Sequence, residues 1–250
     1  RSFPFRFIVD FSIPASLLVA TCYLLWNVEK FEYFRKLSSF LEKIMPEYKL
    51  YYFNIRGVAE VPRQILTLAG VEFEDIRIEK EDWPEFKKKM PFGQMPVLSV
   101  DGKMLPQSFA ISRYIAREHG LAGATPFEAA WIDAIADQGK DFQKEFRNYW
   151  SLKLGYAEGD VEAAKIEHGI PARDKFFQLI VKQLKDVGSG FLVGSGVSWV
   201  DVLLANHVAA IDQEEPGFLA DYPEVVQHQQ RIHAIPALKK WIENRPVTKV

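Results

Sequence analysis

Tyr52 stands near the end of a short apolar run, Leu50-Tyr51-Tyr52-Phe53, and the chain continues Asn54-Ile55-Arg56-Gly57-Val58-Ala59-Glu60. Further on come Pro91-Phe92-Gly93-Gln94-Met95-Pro96-Val97-Leu98 and then Gln107-Ser108. In this order and spacing the three segments describe a pocket for a small anionic thiol, with a phenol placed to hold the sulfur. A free thiol has a pKa of ~8.5, so only about 3% is thiolate at pH 7, and lowering that pKa by two units takes roughly 2.7 kcal/mol. A hydrogen bond to a charged group contributes ~1.5–3 kcal/mol. One well-aimed O–H therefore suffices, and no metal is needed. Taken alone, Tyr52 reads first as a core aromatic with a satisfied hydroxyl. Tyr51 beside it faces the opposite side of the strand.

Gln107-Ser108 opens a helix, whose free N–H groups and positive end favour an anionic group such as a carboxylate. The other reading of Ser108 is plain N-capping. Met95-Pro96 precedes a strand. In the cis form of that bond, the Met95 backbone would turn toward a ligand in strand-like pairing. Trp83 and Lys87 lie in a polar segment, as a seat for a second carboxylate or as solvated side chains.

These residues need a frame that brings them to one edge. Leu50–Phe53 reads as a strand, and Val61, Ile65, Leu68 and Ala69 form one helical face. Pro62 falls in the first turn of that helix and Gly70 ends it. Strands follow at 73–78, 97–100 and 104–105, the last two joined by the turn Asp101-Gly102. A helix runs from Ser108 to His119. The unit is βαβ followed by ββα, with ligands expected at the carboxyl end of its strands. After Thr125, which caps a helix begun by Pro126, strand signals stop. Helices are expected to about Leu154, then over 171–187, 202–210, 223–232 and 236–243. Ser198-Trp199-Val200-Asp201 is a capping box with Asp201 in place of glutamate.

A net charge of −2 over 250 residues suggests no general polyanion partner. Cys22 is the only cysteine, which excludes intrachain disulfides and C-x-x-C redox chemistry. Residues 7–26 are mostly apolar, and their cleanest run, 13–26, is shorter than the ~20 residues of a spanning helix. They read as a signal-peptide core or signal anchor, or as a leader outside the working protein. Membrane contact is expected only through them. Phe31, Phe34, Leu37 and Leu41 have helical spacing and suggest a linker helix. The expected division is an N-terminal extension at 1–46, a strand-containing domain at 47–124 and an all-helical domain at 125–250.

From Tyr48 onward the chain resembles the cytosolic glutathione transferases. It is most similar to the sigma class, which includes invertebrate enzymes and the haematopoietic prostaglandin D synthase. The resemblance rests on Tyr48–Gly57, Ile78–Pro84, Pro91–Leu98, Gln107–Tyr114, Ser198–Asp201 and the closing Ile235-Pro236, Trp241-Ile242 and Arg245-Pro246-Val247-Thr248-Lys249. It implies an α/β thioredoxin-like N-terminal domain with a cis bond before Pro96, an all-α C-terminal domain, a homodimer and a cytoplasmic location. It implies that Tyr52 activates the thiol of glutathione, the cosubstrate. It assigns glutathione contacts to Trp83, Lys87, Gly93, Gln94, Met95, Gln107 and Ser108. Asp141 matches the carboxylate that reaches from the neighbouring subunit toward the ligand's amino group.

Two positions depart from the prostaglandin-synthesising relatives. Val58 stands where they carry an arginine, and valine supplies neither donor nor charge. Lys140 stands where they carry an acidic residue of a divalent-metal cluster. Asp137 remains, but a cation among the ligands argues against a metal. The expected activity is conjugation of glutathione to apolar electrophiles. The second substrate would lie near Phe53, Ile55, Gly57 and helix residues from Gln143 to Tyr149. A glutathione-dependent prostaglandin-type isomerase and a non-catalytic structural or ligand-binding relative are the alternatives.

Overall fold

The structure, a computed structural model, describes residues 46–194 and 196–248. The expectations for residues 7–26, for the linker helix and for Cys22 lie outside them. All described elements belong to one compact unit that begins at Glu47.

Four strands form one mixed sheet: β1 (Tyr48–Phe53), β2 (Phe73–Ile78), β3 (Val97–Val100) and β4 (Lys103–Pro106), in the order β2-β1-β3-β4. β2 runs parallel to β1, while β3 is antiparallel to both β1 and β4. The central strand alternates cleanly. Tyr48, Leu50 and Tyr52 are buried on one face, with Lys49, Tyr51 and Phe53 on the other. Period-two patterning of this kind fixes the register, and Tyr52 lies opposite Arg77.

α1 (Glu60–Leu68) crosses from β1 to β2, as a parallel pair requires. α2 (Trp83–Lys87) is a short helix between β2 and β3, and α3 (Ser108–Glu118) follows β4. The bond between Met95 and Pro96 is cis, as the resemblance implied.

The remainder is helical: α4 (Pro126–Lys153), α5 (Val161–Ala164), α6 (Ile170–Val187), α7 (Trp199–Glu214), α8 (Pro223–His233) and α9 (Pro236–Asn244). Thr125 caps α4 by accepting from the Glu128 N–H at 3.1 Å. The sequence reading missed α5 and the π-helical turn Lys165–Gly169 that follows it. Four residues are too few to show an apolar period; the signal was the cap, Asp160, which accepts from the Ala163 N–H at 2.9 Å.

α7 is the central post of this half. It buries Trp199, Val202, Leu204, Ala205 and Val208, as a helix apolar on most sides must. α7 packs on α4, α8 and α1, so it joins the helical half to the sheet-bearing half. The expected capping box at its start is present. Beside it Phe142 stacks on Phe176 and Phe146 with ring centroids 4.8 and 4.9 Å apart. The thioredoxin-like sheet domain and the helical domain thus share one core.

Candidate active site

The end of β1 and the turn after it place the phenol. Tyr52 is 8% exposed, packed edge-on against Phe53, with the Arg63 guanidinium 5.9 Å from its ring centroid. Gly57 follows at φ +44°, and a β-carbon there would stand 2.7 Å from the Tyr52 hydroxyl. A residue with a side chain would clash with the phenol, so glycine is required on both steric and backbone grounds. Burial pushes the Tyr52 pKa above its ordinary value, while a hydrogen bond from the Val58 N–H and the Arg63 charge pull it down. The phenol thus keeps its proton at neutral pH.

Arg63 fastens this turn. Fully buried, it donates to the carbonyls of Ile55 at 2.9 Å and Arg56 at 3.3 Å, and to Asp75 at 2.9 Å. Glu60 next to it is also fully buried and accepts from Gln64, Trp241 and Arg245. Buried charges persist only when paired in this way.

A cavity of about 1250 Å³ opens beyond the carboxyl end of β1. Tyr52, Phe53, Ile55 and Gly57 line it from the sheet side, Trp83 from α2, Ser108 from α3 and Gln143 from α4. Trp83 packs edge-on to Phe53 at 5.4 Å. Lys87, Gly93, Gln94, Met95, Gln107 and Asp141 do not line the cavity. Gln107 Nε2 lies 3.5 Å from Gln94 Oε1, and a β-carbon on Gly93 would stand 3.6 Å from Lys87 Cε, so these four form two adjoining pairs. Met95 packs partly buried against the core. Asp141 is exposed on α4.

Two expectations are corrected. Ser108 is not the N-cap of α3; Gln107 is, at φ +77°, and it makes no side-chain capping bond. Ser108 is the first helical residue, so its hydroxyl is free of a capping role. Positive φ in a residue other than glycine costs ~1–3 kcal/mol and concentrates at functional sites. Tyr149, placed near the pocket by sequence, is fully buried in the core instead, its pKa raised first by burial and then by Glu215.

Residues 48–117 match the N-terminal domain of glutathione S-transferases, and residues 144–245 match their C-terminal domain. The chain belongs to the glutathione S-transferase family. As a member it is an enzyme, and glutathione is its cosubstrate. Glutathione S-transferase 1 of Ascaris suum is 46% identical over 82% of this chain and 99% of its own length. The haematopoietic prostaglandin D synthase of Gallus gallus is 37% identical over 82% of this chain and its whole length. The crystal structure of a monomeric glutathione S-transferase of the human hookworm Necator americanus superposes with a TM-score of 0.79. That protein is 48% identical and fully covered, against 82% of this chain.

Among the described residues, no group of three or more His, Cys, Asp or Glu side chains is arranged to hold a metal ion. Asp137 is engaged by Arg113 at 2.5 Å, and Lys140 lies 5.9 Å from the Phe109 ring centroid. The sequence reading missed Asn206 and His207, which line the cavity from α7, and Val247 and Thr248 near the C-terminus. The signal for α7 was available: Leu203, His207 and Ala210 are spaced four and three apart, on one face of a helix whose start was marked by its cap.

Proposed function

We propose that the chain transfers glutathione to apolar electrophiles, with Tyr52 as the catalytic residue. The observation that carries this reading is the state of the Tyr52 hydroxyl. The phenol stands in the wall of the large cavity, against Gly57, and burial keeps its proton on. Such a hydroxyl has one proton to donate, and a thiolate is the group that uses it. The hydrogen bond, at ~1.5–3 kcal/mol, matches the roughly two-unit drop the thiol needs. The nucleophile is then the cosubstrate's own sulfur.

In this reading the first-turn N–H groups of α3 and the Ser108 hydroxyl take one carboxylate of the tripeptide. Trp83 and Lys87 take the other, and the Met95 main chain pairs with the peptide backbone. Gly93, Gln94 and Gln107 complete the rim. Phe53, Ile55, Gly57 and Gln143 face the second substrate. Asp141 serves a neighbouring subunit in a homodimer. Sedimentation of the full chain tests that part, since a monomer at micromolar concentration removes Asp141 from the site. A sigma-class, cytoplasmic enzyme of electrophile detoxification fits these assignments, and fractionation of cells making the full chain tests the location.

Tyr52→Phe tests the mechanism. Conjugation to an aryl halide should fall about 25-fold at pH 7, and towards 100-fold in more acidic solution, with glutathione still bound. Unchanged turnover would defeat the assignment. Similarity to a prostaglandin D synthase supports a second reading, glutathione-dependent isomerisation of a prostaglandin endoperoxide. The exposed Val58 side chain, with nothing to donate, weighs against it. Product analysis with an endoperoxide substrate separates the two.

A further inference from the structure

Away from the sheet the cavity wall is apolar, built by Phe142, Phe146 and Trp150 of α4 and by Leu203 and Ile211 of α7. Polar side chains interrupt it, among them Ser112, Arg147, Asn206 and the pair Gln143 and His207. Gln143 of α4 and His207 of α7 both line the cavity and are hydrogen-bonded to each other, side-chain nitrogen to ring Nε2. They bridge the two helices inside the space assigned above to the second substrate.

The pair carries no charge at neutral pH. Burial pushes the His207 pKa down to about 4, so the imidazole is neutral. A neutral imidazole nitrogen either accepts or donates, and a primary amide has two N–H groups and an oxygen. If the amide nitrogen donates to Nε2, one Gln143 N–H and the carbonyl oxygen are left over. If the amide is turned the other way, both N–H groups remain. In either orientation Gln143 keeps at least one N–H for a ligand.

A buried polar group left without a partner costs more than a mean hydrogen bond returns. A hydrocarbon filling this end of the cavity would strip water from the pair and give nothing back. A substrate bearing an uncharged oxygen acceptor would replace the lost water.

We propose that Gln143 and His207 form a neutral polar anchor that selects electrophiles carrying an uncharged oxygen acceptor, such as a nitro or carbonyl group, over hydrocarbons of similar size. This rests on the transferase reading of the cavity and adds a substrate class to it. Gln143 contacts the substrate. His207 acts as a positioning residue, holding the amide in orientation.

The test compares 4-nitrobenzyl chloride with benzyl chloride in the full chain. In both, the sulfur–carbon bond forms as the carbon–chlorine bond breaks. Chloride leaves with the electron pair and the thiol proton passes to solvent. The quantity read is the ratio of the two kcat/KM values, divided by the ratio of the uncatalysed rates with glutathione. Being internal to one preparation, it does not depend on the folded fraction. Gln143→Met keeps the volume and removes the polar end; the corrected ratio should fall about tenfold, the order of one hydrogen bond. His207→Leu should lower it by a smaller factor, and the double variant should be no worse than Gln143→Met, because the two act as one unit. A ratio that stays within about twofold of wild type in both single variants overturns the anchor. Wild-type protein that conjugates neither chloride overturns the transferase reading itself, and the anchor with it.

Discussion

The Tyr52 hydroxyl rests so close to Gly57 that a methyl group on the glycine would stand 2.7 Å from the phenolic oxygen. The phenol is therefore aimed by an absence: any side chain at 57 displaces it. The φ of +44° adds a backbone reason for glycine. Gly57→Ala should lower kcat/KM about 100-fold, the scale of an ångström-sized misplacement of a reacting group. Stability should fall by only ~1 kcal/mol from the backbone strain. Steady-state kinetics beside a thermal melt separates the two effects. Full activity with a lowered melting temperature would mean that the turn does not aim the phenol.

The pH profile discriminates further. Burial raises the Tyr52 pKa above its ordinary value, so the phenol remains a donor across the working range, and no falling limb is expected below about pH 10. In the wild type the rising limb reports the bound thiol, with an apparent pKa of about 6.5 if Tyr52 supplies two units. In Tyr52→Phe that limb should move to about 8.5, the value of a free thiol. The variant is then about 100-fold impaired below pH 6 and nearly recovered above pH 9. Titration of thiolate absorbance in the binary complex checks the same shift without turnover. A deficit that is constant with pH would mean that Tyr52 acts on something other than the thiol.

Much of this frame was legible because its signals are local. The apolar run Leu50–Phe53, the turn at Asp101-Gly102 and the caps Thr125 and Ser198 each act within a few residues of themselves. What was not legible depends on partners distant in the chain. Tyr149 looked like a pocket residue from its place on α4, but Glu215 and Phe218, some seventy positions on, enclose it. Ser108 looked like a cap because serine usually caps; the strained Gln107 takes that place, and propensity cannot foresee strain. His207 became visible as a cavity residue only when α7 was set against α4.

Acid should destabilise the fold well before the carboxylates as a class are protonated. His233 is held near a pKa of about 4, first by burial and then by the Arg245 charge, against an ordinary value of 6.5. Burial does the same to His207. Between pH 6.5 and 4 the unfolded chain binds these protons and the folded one does not. Stability therefore rises with pH across that window and is lost as pH falls through it. For His233 alone the loss is about 3 kcal/mol. Glu215, lowered to about 2 by Lys153 and Lys165, loses its contribution only as pH falls below about 4.5. Denaturant midpoints from pH 7 to 4 should decline steadily, and His233→Leu should flatten part of that slope. A midpoint independent of pH down to 4.5 contradicts this account.

Asp201 should prove the most sensitive single carboxylate for stability. It is fully buried at the first turn of α7. One oxygen accepts from the Ser198 N–H at 2.8 Å and the Ser198 hydroxyl at 2.6 Å. The other accepts from the Leu192 N–H and from His228 Nε2, both at 2.8 Å. The side chain thus ties three segments to the helix that links the two halves of the fold. Asp201→Ala leaves four buried donors without an acceptor and should cost about 3–5 kcal/mol. Asp201→Asn keeps one oxygen but points an N–H₂ at donors, so it should cost somewhat less. Ser198→Ala removes the hydroxyl's bond to Asp201 together with its side of the capping box and should cost about 1–2 kcal/mol. Asp201 does not line the cavity, so the kcat of the folded fraction should be nearly normal in each variant. Equilibrium unfolding in urea gives the order. If Ser198→Ala is as damaging as Asp201→Ala, the cap alone matters, and the bonds to Leu192 and His228 contribute little.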